Sequence, residues 1–496
     1  MISIISESMG RGLIMANKIY FITGSQHLYG EETLIQVAKN SKEMVDFFND
    51  KLSCEIVWTD TVKTADEITK TMRDANNDSD CIGVIVWMHT FSPSQMWIEG
   101  LSIINKPVCH LHTQYNEALP YKTIDMDFMN LNQSAHGDRE HGYIYARMRK
   151  ERKVVVGYWR SEDTLSELEV FSKAAIGLKT AKALKICRFG DNMRDVAVTE
   201  GDKVQARLKL GFSVSGYGIG DLVSCIDKVT DEEVFELYNS YKKRYNILTD
   251  DIDSVKEQAK YEIGMERFLE NGGFGGFTTT FEDLHGLSQL PGLAVQRLME
   301  KGYGFGAEGD WKTAALLRIL KEMSNNNSTS FMEDYTYHLE KGNEMVLGAH
   351  MLEVCPTIAD GEMKIDVKPL GIGGKNPPAR IIFNSKKGDA ISVSLVDLGD
   401  RFRIIVADIM GVTAPEEMPN LPVAGCMWKL YPNFSDGAKA WILAGGAHHS
   451  VVSFALTKEH IIDLAAMLNI ECVVIDKNLD ISRLITDMKL SDIIYK

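Results

Sequence analysis

From Ile19 to Leu111 the chain alternates strand-like and helix-like stretches, and this order restricts the fold more than any other feature. Ile19-Tyr-Phe-Ile22 reads as a strand running into Thr23-Gly24-Ser25. Glu32–Leu52 has Leu34, Val37, Met44, Val45 and Phe48 at the spacing of one helix face. Glu55-Ile-Val-Trp58 and Ala65–Ala75 repeat the pair. Cys81-Ile-Gly-Val-Ile-Val-Trp87 carries no charge or alternation, as suits a parallel strand covered on both faces. Pro93 stands where a first helical turn tolerates it, opening Ser94–Ile104, and Pro107-Val-Cys-His-Leu111 is a fourth strand. This order predicts a doubly wound α/β sheet with its functional crevice at the carboxyl ends of the strands.

A second α/β unit follows. It contains helices near Asp163–Ala183, Asp231–Tyr241, Ser254–Glu270, Pro291–Lys301 and Trp311–Met323, with strands at Leu184–Phe189 and Thr278–Phe281. Asn325-Asn-Asn-Ser-Thr329 has strong turn chemistry and no apolar residue, so it reads as a linker. Beyond it, Val346–Leu352, Arg380–Phe383, Ile391–Leu398 and Phe402–Ala407 predict a mostly antiparallel, barrel-like β domain, closed by helix Glu459–Leu468 and strand Glu471–Ile475. A chain of 496 residues exceeds what one core supports. The expected division is an extension over 1–17, α/β domains over 18–160 and 161–324, and the β domain over 325–496.

The net charge of −15 argues against nucleic-acid and anionic-membrane partners, which reward a basic face. It suits a neutral substrate and a cation. The eight cysteines lie mostly in apolar runs without close pairing, which predicts buried free thiols in a reducing compartment, the cytoplasm. Met1–Met15 has no apolar core of signal-peptide type, and no run is long enough to span a membrane.

Three segments offer chemistry. Gly304-Phe-Gly306-Ala-Glu-Gly309 matches a dinucleotide fingerprint, but a helix precedes it where a strand is needed, so no nucleotide is expected. The glycines instead predict a tight turn that carries Glu308 into a confined space. Glu333 and His350 lie on two runs joined by Gly342-Asn343. If the turn centres between Lys341 and Gly342 they face each other, Cβ atoms about 4.5–5.5 Å apart. Taken alone, that pair reads as a surface Glu–His contact without a metal, and a one-residue slip would part them. After strand-like Trp441-Ile-Leu443, Ala444-Gly-Gly-Ala-His448-His449 presents two histidines, of which a strand would send at most one into a common site.

Thr23-Gly-Ser-Gln-His-Leu-Tyr-Gly30, Met126-Asp-Phe-Met-Asn-Leu-Asn-Gln-Ser-Ala-His136, Gly190-Asp-Asn-Met-Arg194, Thr278-Thr-Thr-Phe-Glu-Asp-Leu-His-Gly286, Gly309-Asp-Trp-Lys-Thr-Ala-Ala315 and Gly445-Gly-Ala-His-His449 together resemble the L-arabinose isomerase family. The likeness runs from about Lys18 to near the C-terminus; residues 1–17 have no clear counterpart, and Gly306-Ala307 stands where relatives commonly read Ala-Gly. The resemblance implies an aldose–ketose isomerase of arabinose catabolism that uses Mn²⁺, with D-galactose to D-tagatose as a side activity. It implies Glu308, Glu333, His350 and His449 as metal ligands, with Glu308 and Glu333 also the acid and base. Gln26, Leu28, Gln133, His136, Met193 and Phe281 would line the sugar pocket, Gln133 and His136 coming from a neighbouring subunit of a hexamer of two trimers. Asp310, Glu353 and His448 are candidates to orient ligands. Oxygen-rich, thiolate-free donors favour Mn²⁺ or Mg²⁺ over a closed zinc site. Open alternatives are an isomerase of another aldose such as L-fucose, a non-catalytic sugar-binding protein, and a nicotinamide oxidoreductase.

Overall fold

The computed structural model describes residues 17–495, so the extension expected over 1–17 lies, Asn17 apart, outside the described residues. The chain divides into two compact units, the first ending at Ile176 and the second beginning at Gly177.

The first unit is built on a parallel sheet of β1 (Lys18–Gly24), β2 (Glu55–Val62), β3 (Cys81–Met88), β4 (Val108–His112) and β5 (Lys153–Val156) in the order β2-β1-β3-β4-β5. This is a doubly wound order. Every residue of β3 is buried, which explains its uninterrupted apolar sequence. Helix Ala65–Asn77 starts where the Thr64 hydroxyl accepts from the Glu67 N–H, and its Ile68, Met72 and Ala75 pack with Ile22, Val84, Val86 and Trp97. Ser94–Ile104 is a 3₁₀ turn over Ser94–Trp97 followed by helix Ile98–Ile103. Helix Ser134–Met148 precedes β5 and was not read from the sequence.

The second unit has three sheets. Strands β6 (Lys185–Phe189), β7 (Ser213–Tyr217), β8 (Asn246–Ile247), β9 (Gly276–Thr279) and β10 (Gly304–Gly306) precede the long helix Trp311–Met323. Four of them form a parallel sheet in the order β10-β9-β6-β7, so the winding reverses at β6. After the helix come β11 (Thr329–His338), β12 (Met345–Ala349), β13 (Lys364–Val367), β14 (Ala379–Ile382), β15 (Gly388–Asp397), β16 (Phe402–Val412), β17 (Gly425–Leu430), β18 (His449–Ser453) and β19 (Glu471–Ile475). β13 joins β14 and β8 in a small sheet.

The antiparallel strands β15-β18-β11-β12-β17-β16 close on themselves, because β16 also pairs with β15 from Gly388↔Gly411 to Asp397↔Phe402. Closure into a barrel of six strands removes the exposed edges that an open sheet would leave. The outer edge of β16 is shared, with β19 along Arg403–Ala407 and with β17 along Ile409–Val412. Met332, Val346, Ile405, Trp428 and Val452 fill the core.

Two expectations need correction. Trp441-Ile-Leu443 is the last turn of helix Phe434–Leu443 rather than a strand, and Ile442 and Leu443 lie exposed on it. The chain also does not end with β19, since helix Ile481–Ile494 follows. Among the described residues, no helix is long and apolar enough to cross a membrane.

Candidate metal centre

The candidate centre lies in the second unit, where the carboxyl ends of β9 and β10 meet β11, β12 and β18. Its first component is the turn between β10 and helix Trp311–Met323. As expected, a helix, Gly292–Glu300, precedes the glycines, and Gly304–Gly306 themselves form the short strand β10. The glycines serve close packing: a Cβ on Gly304 or Gly306 would collide with the carbonyl oxygens of Ala314 and Asp310, and one on Gly309 with the backbone of Asn192. Glu308 has φ +60° and Gly309 +78°. A left-handed glutamate persists only where its surroundings fix it. They do so here: the Met193 N–H donates to the Glu308 carbonyl (2.9 Å), the Gly309 N–H to the Thr279 carbonyl (3.1 Å), and the Asp310 N–H to the Ala307 carbonyl (2.9 Å).

The second component is the β11–β12 hairpin. The register expected from the turn holds from Thr336↔Leu347 to His338↔Met345, then a bulge at Tyr335 shifts it, so that Glu333 faces Ala349. An extra residue of this kind bends and twists the strand that carries it. His350, one position past β12, still brings Nε2 to 3.8 Å from the Glu333 carboxylate. On its other edge Glu333 is paired with His449, the first residue of β18.

The histidine pair departs from the expected alternation. His448 precedes β18 and is not bound by the strand's two-residue period. Both histidines therefore reach Glu308, with His448 Nε2 at 3.4 Å and His449 Nε2 at 3.8 Å from Oε2.

Donor atoms of Glu308, His350 and His449 all lie within 4.8 Å of one another. Glu333 joins this group at its edge, through His350. Each histidine of the trio is backed by its own carboxylate. His350 Nδ1 is 2.5 Å from Glu353, and His449 Nδ1 is 3.3 Å from Asp310. A carboxylate accepts only, so Nδ1 carries the hydrogen in each ring and Nε2 keeps its lone pair for the centre. His449 Nε2 is buried and has no hydrogen-bond partner among the described residues. An orphaned imidazole nitrogen, a second imidazole and a carboxylate, each ring oriented from behind, are what a divalent cation requires of a protein. The residues fit the ion that the resemblance implies.

At Glu308 and His449 the electrostatics agree. Burial pushes the Glu308 carboxyl up, but the His448 hydrogen bond and the charges of His449 and His350 outweigh it and keep it below the usual range. Burial lowers His449, only partly offset by Asp310, which favours the neutral ring that metal binding needs. Burial also opposes protonation of His350, but Glu353 overrides it and raises the ring. The Glu308 hydrogen bond raises His448. Asp310 sits far below its ordinary value, because Lys312, His449 and Thr313 overcome its burial.

Beside the trio lies a cavity of about 120 Å³ lined by Phe281, Glu308, Glu333, His350 and Glu353. Tyr335, Met351 and Ile372 also line it, and sequence reasoning missed them. Nothing in their local pattern marks them: the bulge exposes one, and the others lie outside the named strands. Met193 touches the centre through its backbone bond to Glu308. Gln26, Leu28, Gln133 and His136 belong to the first unit. There the Tyr29 hydroxyl donates to Gln133 Oε1 (3.0 Å), His136 stacks on Phe91, and Leu28 is 80% exposed.

Comparison with known proteins decides the family. Models of the N-terminal, central and C-terminal domains of L-arabinose isomerase match residues 14–183, 185–326 and 328–471 in turn. The chain belongs to the L-arabinose isomerase family. Among its relatives, the L-arabinose isomerase of Geobacillus stearothermophilus is 53% identical over 97% of this chain and 98% of its own length. That of Shouchella clausii is 55% identical over 92% and 95%, and that of Bacillus subtilis 52% identical over 97% and 98%. L-arabinose isomerase relatives thus align along both units, including Glu308, His350 and His449 within the matched stretches.

Proposed function

We propose that this chain interconverts L-arabinose and L-ribulose with a divalent cation, Mn²⁺, held by Glu308, His350 and His449 and completed by Glu333. The carrying observation is the orphaned Nε2 of His449, fixed from behind by Asp310 and aimed at Glu308. D-Galactose to D-tagatose is the expected side activity; L-fucose is the competing aldose.

A cation held by Glu308, His350 and His449 would supply Lewis-acid polarisation of the sugar oxygens. The chain supplies proton transfer. Isomerisation removes a proton from C2 of the aldose and delivers one to C1, passing through a cis-enediol. Glu308, kept anionic by its histidines, and Glu333 divide the base and acid roles on one face of the sugar. Asp310 and Glu353 hold the two ring tautomers, and His448 fixes one carboxylate oxygen of Glu308. Phe281 and Leu290 give the cavity an apolar wall that excludes water from the reacting carbons.

Gln133 and His136 would reach the sugar of a neighbouring subunit in a hexamer of two trimers. The exposure of His136 and Leu28, with Gln133 half-buried, suits surfaces that another copy covers. The proposed domains are 18–160, 161–324 and 325–496, after the extension 1–17. Eight free cysteines suit the cytoplasm.

The test is ketose formation from L-arabinose, D-galactose and L-fucose, before and after chelation and with Mn²⁺ restored. L-Arabinose turning over fastest, and only with metal, is the expected result. Undiminished turnover after chelation, or no ketose from L-arabinose, overturns the reading. Deuterium placed at C2 of the aldose should wash out to solvent; its full retention at C1 would instead indicate a hydride shift.

A further inference from the structure

The first unit holds a cavity of about 280 Å³ at the carboxyl ends of β4 and β5. In a doubly wound sheet this is the end at which ligands are bound. Groups from two elements, a strand end and a helix start, meet there. His112 is the last residue of β4; its Nδ1 is 2.7 Å from Asp138 Oδ2, and Nε2, across the ring, has no protein partner among the described residues. Ser134 opens the 15-residue helix Ser134–Met148; it is 1% exposed, lines the cavity, and its hydroxyl has no partner among the described residues. The N-cap side chain, Gln133, makes no capping bond, so among the described residues the first-turn N–H groups are left uncapped and bring the positive end of the helix dipole.

We propose that this cavity binds a tetrahedral oxyanion of the phosphate class, through His112 Nε2–H, the Ser134 hydroxyl and the first turn of helix Ser134–Met148. Asp138, buried and shared with His110 Nε2 at 2.8 Å, sits one helical turn beyond Ser134 and fixes the ring of His112, which lines the cavity. Its hydrogen bond also raises His112 against the opposing effect of burial, favouring the cationic ring that an anion needs. Donors arriving from a strand end and a helix end suit a tetrahedral group better than a planar carboxylate, which prefers a single fork. An unpartnered buried hydroxyl is costly to keep without a ligand, and among the described residues no group satisfies Ser134. Glu117 on the rim disfavours a highly charged ligand and limits affinity. Free phosphate and the phosphate of a sugar ester share this chemistry. The proposal is independent of the metal centre.

The test is ³¹P line broadening and calorimetry on the full-length, metal-loaded enzyme in phosphate-free buffer, titrated with inorganic phosphate and with D-ribose 5-phosphate. Saturable binding of at least one is expected; the tighter of the two identifies the source. Ser134→Ala removes a group that bonds to no protein atom, so it should keep its melting temperature and bind about 3- to 10-fold more weakly. His112→Gln should bind about 10- to 100-fold more weakly. No saturable phosphate signal, wild-type binding by both variants, or equal binding of unphosphorylated D-ribose would overturn the proposal.

Discussion

Two histidine–carboxylate clusters in this molecule use the same residue types for opposite ends. In the first unit His110 and His112 both turn a ring nitrogen onto one aspartate, Asp138. In the second unit His350 and His449 each have a private carboxylate behind them, Glu353 and Asp310, and converge in front on Glu308. In one, two rings share a single acceptor; in the other, spare acceptors free the forward nitrogens. What marks the second cluster as an ion site is where the satisfied bonds point, not how many histidines it has.

The sharpest way to break this contrast is at Glu308. Glu308→Gln should lower kcat/KM for ketose formation by about 10²–10⁴-fold with metal present, while circular dichroism stays unchanged. Next is Asp138. Asp138→Ala leaves the buried His110 ring and the half-buried His112 ring without their acceptor and should cost about 3–5 kcal/mol in urea unfolding, yet leave the stabilisation by Mn²⁺ intact. His449→Ala should do the converse: a metal excess of a hundredfold over Kd stabilises the wild type by about 2.7 kcal/mol, and the variant should lose that response. Glu353→Gln should weaken metal affinity about 10- to 100-fold without abolishing it, read by competition with a chelating dye. The smallest effect is a pH term. His112 is raised in the folded state, so its contribution is complete below the unfolded value near 6.5 and fades as pH rises through the folded one. Unfolding of Asp138→Asn, measured across that window, should lack this slope.

Much of the fold was legible. Strands buried on both faces announce themselves, as Cys81–Met88 does, and Glu471–Ile475 was read at its true ends. Trp441-Ile-Leu443 misled because three consecutive apolar residues look alike in a strand and at a helix end. Helix Ser134–Met148 has Asp138 and His141 on its buried face, so apolar periodicity could not reveal it. At the metal centre, Glu308, His350 and His449 were named from the sequence by family likeness, since intervals of 42 and 99 residues obey no spacing rule. The hairpin register was sound near its turn and failed at Tyr335, where one added residue costs a strand little and carries no sequence signature. His448 was already a candidate to orient a ligand, but that it reaches Glu308 together with His449 was not legible, because the strand begins one residue later than a His-His run suggests.

The turn that carries Glu308 is fastened by main-chain bonds from Thr279, Met193 and Ala307, none of which involves a donor to the ion. The carboxylate therefore waits in position whether or not a cation has arrived. Loading and stripping become local exchange rather than refolding, so dialysis should swap one divalent ion for another in native enzyme, and each replacement would meet the same pre-shaped receptacle.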